Sequence, residues 1–223
     1  MTEQYSMEWY KERLGYFTGS QIYNLMVSGR KKDETFGKTA ISYIYKVASE
    51  RALPDKVLNE EYSFDIYNQL VNATSKAMEW GHENEELAAK KFSDYTGIRI
   101  QECGSYKHPT IPYLSASPDR IFRTKSGGIG VVEIKCPLPS TFIQYRAEIK
   151  DSDTLKAVKP EYWWQIQTEM MCAGASTAFF VAFCPFNKSY LHVVKIEADE
   201  EAFKVIEERV RAAEAIVEDI LTC

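Results

Sequence analysis

Three residues in the middle of the chain have the types and spacing for metal-assisted hydrolysis. Asp119 follows a proline, and Glu133 and Lys135 flank one apolar residue within a run of β-branched side chains. Because side chains alternate between the two faces of a strand, Glu133 and Lys135 would share one face. If the preceding segment pairs with this strand as a hairpin, Asp119 joins them. The pattern therefore predicts two carboxylates and a lysine at one site.

This set of side chains suits the hydrolysis of phosphodiesters. The reaction requires an activated water and stabilisation of charge on the transferring phosphoryl group, and divalent metal ions provide both. Mg²⁺ prefers oxygen ligands and needs only two or three carboxylates. We predict Asp119, Glu133 and the backbone carbonyl of Ile134 as ligands of Mg²⁺, for which Mn²⁺ could substitute. Lys135 would orient the water and favour hydroxide electrostatically. Alternatively, the pattern is a Pro-Asp turn beside a surface Glu–Lys pair.

The elements that must position these residues can be read from the same sequence. Residues 113–123 and 129–136 have the pattern of a hairpin, with Ser126-Gly127-Gly128 as its turn. Residues 177–184 are apolar, as expected of a central strand buried on both faces, and residues 190–196 would pair with them. We therefore predict an α/β fold in which helices flank a mixed central β-sheet.

Helical patterns occur in the sequence before the predicted strands, between them and after them. Ser20 is expected to cap a helix at residues 21–27, and Asp199 an amphipathic helix up to residue 222. A long helix is expected to end at Gly97, and another would run from Pro160 to about residue 172. Residues 150–159 look like a polar loop. The buried stripe of the long helix is expected to consist of Ala77, Met78, Leu87, Ala88 and Phe92.

Composition fits one globular domain, because 45% of the 223 residues are hydrophobic and 26% are charged. We expect a helical part at about residues 1–97, a catalytic sheet core at about 98–197 and the C-terminal helix at about 199–222. The five cysteines include no C-x-x-C pair, which disfavours zinc, iron–sulfur and disulfide sites. With no membrane span or signal peptide evident, a reduced cytoplasmic protein is expected.

The net charge of −5 does not exclude nucleic acid as a partner. Eight acidic and three basic residues lie from Asp199 to the C terminus, so this segment alone accounts for the net charge. The rest of the chain is neutral overall and can present a local basic surface to phosphates. The basic segment at residues 30–32 is expected to be a solvated loop, which beside a DNA end could contact the backbone.

The Pro-Asp, hairpin and Glu-x-Lys pattern resembles the PD-(D/E)XK nuclease superfamily. Longer motifs make the resemblance more specific, because S-A-S-P-D-R, G-V-V-E-I-K-C-P and Y-W-W-Q-I-Q-T-E-M are similar to those of the lambda exonuclease and YqaJ-like recombinase family. R-L-G-Y-F-T-G-S and E-W-G-H-E-N-E are further matches. The resemblance extends from about residue 9 to residue 197, in the order of the family.

The resemblance implies roles for four more residues. Glu83 matches an acidic residue that completes the metal site from a helix, and Gln165 matches the first Gln of a Y-x-x-Q-x-Q element that supports the site. Arg13 and Ser20 match positions that bind a terminal 5′-phosphate. Glu83 could instead be a solvated helix charge, Gln165 a buried amide, and Arg13 part of a surface ion pair. Ser20 would be a helix cap in either case.

The resemblance also implies a function. It is that of an Mg²⁺-dependent, phage- or prophage-encoded exonuclease that digests double-stranded DNA 5′ to 3′, releases mononucleotides and leaves 3′ overhangs. It implies a ring-shaped homotrimer around DNA in the bacterial cytoplasm and a single-strand annealing protein as a partner. Two alternatives are an endonuclease of restriction-like or structure-specific type on the same fold, and a non-catalytic DNA-binding protein. The complete set of Asp119, Glu133 and Lys135 disfavours the non-catalytic alternative.

Overall fold

The computed structural model of the protein describes residues 4–29, 34–72 and 75–222, apart from the side chain of Ala77. The basic segment at residues 30–32 lies outside this part. The helices are α1 (Met7–Arg13), α2 (Tyr23–Met26), α3 (Lys38–Arg51), α4 (Asp55–Asn59), α5 (Glu61–Val71), α6 (Lys76–Thr96), α7 (Pro139–Glu148), α8 (Ser152–Val158), α9 (Pro160–Ala173) and α10 (Glu200–Thr222). The strands are β1 (Phe17–Thr18), β2 (Ile100–Gln101), β3 (Tyr106–Lys107), β4 (Leu114–Ala116), β5 (Arg120–Arg123), β6 (Ile129–Lys135), β7 (Thr177–Phe183) and β8 (Leu191–Glu197).

A five-stranded mixed sheet forms the centre, with strand order β2-β5-β6-β7-β8. β6 and β7 are parallel, and the other neighbouring strands are antiparallel. Because a hairpin cannot join parallel neighbours, the chain crosses between β6 and β7 through α7, α8 and α9. The mixed sheet, the β5–β6 hairpin and the central position of β7 confirm the predicted fold class.

Different helices cover the two faces of this sheet, and this decides what each residue of β6 meets. Ile134 shares a buried cluster with Phe92 of α6. Val131 shares another with Ile166 of α9. Since side chains alternate along the strand, Glu133 points to the same face as Val131. The acidic residue of β6 therefore lies beneath α9.

Residues 113–123, predicted as one strand, form two strands in different sheets. β4 pairs with β1 and β3 in a separate three-stranded sheet, whereas β5 belongs to the central sheet. Pro118 separates them, because its ring fixes φ and it has no N–H for a strand ladder. The break leaves Ser117 and Asp119 just before β5, with their side chains available to a site.

The predictions for residues 150–159 and for the buried stripe of α6 are wrong. Residues 150–159 contain α8 instead of a loop, and a capping box of Asp151 and Thr154 begins this helix. On α6, Met78 and Leu87 are exposed and not buried. The sheet covers α6 only towards its C-terminal half, where Ala88 is buried as predicted.

The C-terminal helix α10 agrees with its prediction. Oδ1 of Asp199 accepts hydrogen bonds from the backbone N–H groups of Glu201 and Ala202 at 3.0 and 3.1 Å, and so caps the helix. Ile206 and Val217 are buried in a cluster with residues of α2 and α3. Although α10 has 23 residues, neither it nor any other helix in the described part of the chain is apolar enough to span a membrane.

Candidate active site

Glu133 is the centre of a buried polar cluster beneath α9. Its side chain is 1% exposed. Its Oε1 accepts hydrogen bonds from Nζ of Lys135 and from Nε2 of Gln165, the latter at 2.6 Å. Within the described residues, its Oε2 has no hydrogen-bond partner. Strand alternation thus brings the predicted Glu–Lys pair together, and α9 supplies the predicted glutamine.

Asp119 reaches the cluster from the break before β5. Its Oδ2 accepts the backbone N–H of Ile134 at 2.6 Å, just beyond the end of the β5–β6 ladder. The carboxylate therefore takes the place of a strand partner. Because the N–H and C=O groups of one residue in an extended strand point to the same side, the carbonyl of Ile134 lies on this edge as well. This is the arrangement that the predicted ligand set requires.

Of the acidic residues of α6, Glu79 and Glu85 line the cavity beside Asp119 and Lys135, and Glu83 does not. Glu83 is exposed and lines neither of the two cavities beside the cluster, which corrects the prediction for this residue. Glu85 lines a cavity together with Asp119 and Lys135. The physical reason is helical periodicity, because residues two positions apart point to different sides of a helix.

Arg120 connects α6 to the strand that follows Asp119. One guanidinium nitrogen donates to Oε1 of Glu85 at 2.6 Å and to the backbone oxygen of Asp119 at 2.7 Å. The other donates to Oε2 of Glu86 at 2.7 Å. Since Arg120 is buried, these charge-assisted bonds hold the carboxylate of Glu85 at the edge of the site.

Negative charge accumulates in this cluster. Burial raises the pKa of Asp119 well above its ordinary value, and the charges of Glu133 and Glu85 raise it further. Burial also raises the pKa of Glu169, which lies beside Glu133. Burial lowers the pKa of Lys135, but the charges of Glu133 and Asp119 outweigh it, so the net shift is upward. Lys135 therefore stays protonated and can act as a hydrogen-bond donor.

The donor set fits a hard divalent cation. The carboxylates of Glu133 and Asp119 line one neighbouring cavity, and that of Asp119 lines a second. In residues 4–29, 34–72 and 75–222, no three His, Cys, Asp or Glu side chains form a complete metal site. Mg²⁺ retains several waters and needs few carboxylates, so two side chains and the carbonyl of Ile134 suit it better than they suit structural zinc.

One cavity of about 530 Å³ joins this cluster to the N-terminal part of the chain; we call it the first cavity. Asp119, Glu133 and Lys135 contribute to its wall, and so do Arg13 and Ser20. The structure therefore brings the two carboxylates and the lysine of the hairpin, together with the residues of the predicted phosphate site, into a single space. These two groups are far apart in the sequence, and the tertiary fold alone connects them.

Arg13 is a cation whose hydrogen bonds within this cavity go to hydroxyl groups. Its guanidinium donates to Oγ of Ser117 at 2.9 Å and to Oγ of Ser20 at 3.4 Å. It also lies over the ring of Trp9, 4.0 Å from the centroid. None of the ion pairs between described residues includes Arg13, and burial lowers its pKa. An arginine with such partners is suited to bind an anion.

Ser20 lies in the predicted pocket, but its local structure differs from the prediction. It is the middle residue of a 3₁₀ turn, Gly19–Gln21, whereas α2 begins only at Tyr23. The predicted helix cap at Ser20 is therefore wrong. Because α2 has only four residues, the dipole of a helix gives little support for anion binding here. The hydroxyl of Ser20 and the guanidinium of Arg13 remain as the local donors.

Four residues near the site were not found from the sequence. A helical signal was available for Glu85, which precedes the buried Ala88 by three positions and so faces the sheet. Glu169, four positions after Gln165 on α9, had a similar signal, and its Oε1 accepts a hydrogen bond from Gln165 at 2.9 Å. Arg120 and Ser117 had no such signal, since their partners lie in distant segments.

Solved structures similar to this one include proteins described as exonucleases. The alkaline exonuclease LHK-Exo from Laribacter hongkongensis is 27% identical, with a TM-score of 0.76, over 97% of this chain and 95% of that one. The same protein in complex with dAMP has a TM-score of 0.77. A phage-related exonuclease from Haemophilus somnus 129PT is 17% identical, covers 93% of this chain and 95% of that one, and has a TM-score of 0.66, which supports the fold alone.

Comparison of the sequence with protein families gives a more specific result. No curated protein sequence matches the chain significantly. The family model of the YqaJ-like viral recombinase domain, by contrast, matches residues 8–176. This range includes the β5–β6 hairpin, α6 and most of the N-terminal residues discussed above. The resemblance read from the motifs is thereby confirmed, and the chain belongs to the YqaJ-like viral recombinase domain family.

Proposed function

We propose that the protein is a metal-dependent exonuclease that digests one strand of double-stranded DNA from its 5′ end. It would release mononucleotides and leave a 3′ single-stranded overhang, with Mg²⁺ as its cofactor and Mn²⁺ as a substitute. The observation that carries the proposal is the first cavity, which contains both the carboxylate–lysine cluster and Arg13. The similarity to a protein described as an alkaline exonuclease supports the same reaction.

The residues of the cluster have distinct tasks in this proposal. Asp119, Glu133 and the carbonyl of Ile134 would hold the cation, which supplies Lewis-acid stabilisation of the phosphoryl charge when bound. Lys135, kept protonated by its acidic neighbours, donates a hydrogen bond that orients the attacking water. Gln165 fixes the orientation of Glu133 through its hydrogen bond of 2.6 Å.

The Arg13 pocket would select the 5′ terminus of a strand. A terminal phosphate carries more charge and more free oxygens than an internal phosphodiester, so a guanidinium with hydroxyl groups beside it favours the terminus. Ser117 joins the predicted pair of Arg13 and Ser20, because its Oγ accepts from Arg13 at 2.9 Å. Since Ser117 precedes Asp119 by two residues, the pocket lies beside the cleavage residues in the same cavity.

We further propose that the protein forms a ring-shaped homotrimer around DNA in the bacterial cytoplasm. It would be phage- or prophage-encoded and act with a single-strand annealing protein. The family resemblance supports these points, and a ring would reconcile a chain of net charge −5 with DNA binding, since acidic surface can lie outside the channel. Light scattering after gel filtration should give the mass of a trimer. A monomeric mass at all concentrations would contradict the ring.

Digestion of labelled DNA tests the polarity and the need for an end. A linear duplex with Mg²⁺ should lose a label at the 5′ nucleotide early, as a mononucleotide, while a label at the 3′ end of the same strand remains on long products. A covalently closed plasmid of the same sequence should stay intact. Cleavage of the closed plasmid would instead identify an endonuclease. Loss of the 3′ label first would contradict the proposed polarity.

A further inference from the structure

Tyr5 has a backbone conformation that bulky residues rarely adopt. Its φ is +67°, in the left-handed region, where a residue with a Cβ is strained. Such strain persists only where surrounding contacts impose it, and it concentrates at functional sites. The position of Tyr5 is consistent with this, because the residue lines the first cavity together with Asp119.

Contacts from three directions hold Tyr5 in place. The preceding residue, Gln4, donates from Nε2 to the backbone oxygen of Pro118 at 2.8 Å and so ties the segment to the residue before Asp119. The ring of Tyr5 lies 5.3 Å from that of Trp9 on α1, and 4.5 Å from that of His82 on α6 in an edge-on arrangement. The ring is thus fixed in place, and the residue remains 45% exposed.

Tyr5 lies at the boundary between two cavities. The second cavity, of about 550 Å³, is lined by Ile134 and Glu85 as well as by Asp119 and Lys135. Tyr5, Tyr10, Met78, Asp119 and Lys135 line both cavities, and of the two tyrosines only Tyr5 has a positive φ. An aromatic ring and the cleavage residues therefore lie together at the boundary between the two cavities.

We propose that Tyr5 contacts the substrate by stacking on the nucleobase of the 5′-terminal nucleotide. The inference rests on the proposed function, in which Arg13 binds the terminal phosphate and Asp119 lies at the scissile one. The terminal nucleoside must then lie between these two residues. Tyr5 offers a fixed aromatic surface there, at the boundary between the two cavities. Every base has a π-face, so stacking on tyrosine positions the nucleotide without reading its sequence.

The left-handed backbone provides a way to separate this role from a structural one. Glycine adopts a positive φ readily, so Tyr5→Gly removes the ring while relieving backbone strain. Tyr5→Ala removes the ring but retains the strain. A substrate-contacting ring predicts the same loss of binding in both variants. Tyr5→Phe should bind like the wild type, because stacking needs the ring and not the hydroxyl.

A double-mutant cycle between protein and DNA tests the inference. Binding of a 5′-phosphorylated duplex is measured by fluorescence anisotropy in EDTA, so that no cleavage occurs, with and without the base of the 5′-terminal nucleotide. Removing that base should weaken binding to the wild type by about tenfold. Tyr5→Gly should bind the intact duplex about tenfold more weakly than the wild type does. It should bind the duplex that lacks the terminal base as tightly as it binds the intact duplex. Tyr95→Ala removes a tyrosine that lines neither cavity and should behave like the wild type.

The outcomes separate this inference from the proposed function. If removal of the terminal base weakens binding to Tyr5→Gly by the same factor as it weakens binding to the wild type, the two changes are independent. The stacking role is then wrong. Wild-type binding that does not depend on the terminal base would overturn it as well. In both cases the wild type can still digest linear duplex with Mg²⁺, and the proposed function stands. If the wild type neither digests linear duplex nor binds its ends, the proposed function fails, and the inference fails with it.

Discussion

The carboxylate–lysine cluster and the Arg13 pocket share one cavity, but they are built in different ways. Asp119, Glu133 and Lys135 come from one hairpin, where strand pairing and side-chain alternation bring them together. Arg13 lies at the end of α1, and Ser117, its hydrogen-bond partner, is 104 positions away at the break before β5. In the proposed function, cleavage is thus a local property of the hairpin, whereas end recognition depends on the whole fold. Substitutions should therefore be able to separate the two.

The largest effect is expected when the cluster loses a charge. Asp119→Asn keeps an oxygen for the N–H of Ile134 but removes a carboxylate, and Lys135→Ala removes the donor to the attacking water. Each should lower kcat by about 10³-fold, measured as nucleotide release from saturating linear duplex. Binding of the duplex in EDTA should change little, because the Arg13 pocket remains. Either variant with a kcat within tenfold of the wild type would contradict the assignment of the cluster.

A smaller and more selective effect is expected in the pocket. Arg13→Ala removes charge-assisted hydrogen bonds to the terminal phosphate, so the ratio of rates on 5′-phosphate and 5′-hydroxyl ends should fall by about 10- to 100-fold. The rate on 5′-hydroxyl ends should hardly change. Lys11→Ala is a matched control, since Lys11 is a cation of the same helix that lines neither cavity. If Arg13→Ala lowers the rate equally on 5′-phosphate and 5′-hydroxyl ends, the pocket does not recognise the terminal phosphate.

Two carboxylates of α6 provide a matched pair for the metal site. Glu85→Gln should raise the Mg²⁺ concentration for half-maximal activity by about tenfold, because Glu85 lies beside Asp119 and contributes negative charge there. Glu83→Gln should leave that concentration unchanged, since Glu83 is exposed on another side of the helix. Calorimetric titration with Mg²⁺ provides a second readout. If Glu83→Gln has the larger effect, the correction from Glu83 to Glu85 is wrong.

The smallest effect on activity is expected at the hairpin turn. Gly127 has φ of +88°, so Gly127→Ala should lower the free energy of unfolding by about 1–2 kcal/mol. Gly128→Ala, one position later and outside the left-handed region, should lower the free energy of unfolding by less. Neither change should alter kcat, because the turn is at the far end of the strands from Asp119 and Lys135. Thermal unfolding and saturating kinetics on the same samples check both expectations.

The sequence was most informative where structure depends on neighbouring residues. Strand alternation placed Glu133 and Lys135 on one face, and a glycine marked the end of the long helix correctly at Gly97, which is in the left-handed conformation. The interior position of β7, between β6 and β8, followed from its apolar run. These features need only local patterns and short-range sterics, which the residue types carry.

The sequence was least informative where contacts join distant segments. The strand predicted across Pro118 divides between two sheets, and the alternation of its side chains does not indicate the break. The partner of Arg13, Ser117, depends on this break and on the packing of α1. The polar composition of residues 150–159 concealed α8, whose start depends on a capping box at Asp151. Glu85 is different, because helical periodicity alone places it on the side of α6 that carries the buried Ala88.

The central claim is that one cavity couples cleavage to recognition of a 5′ phosphate. It is tested most directly by measuring initial rates of nucleotide release by the wild type on two linear duplexes that differ only in a 5′-phosphate or a 5′-hydroxyl group. With subsaturating DNA and Mg²⁺, we expect the phosphorylated duplex to be digested at least about tenfold faster, because Arg13 binds its terminal charge. Equal rates on the two duplexes would contradict the claim.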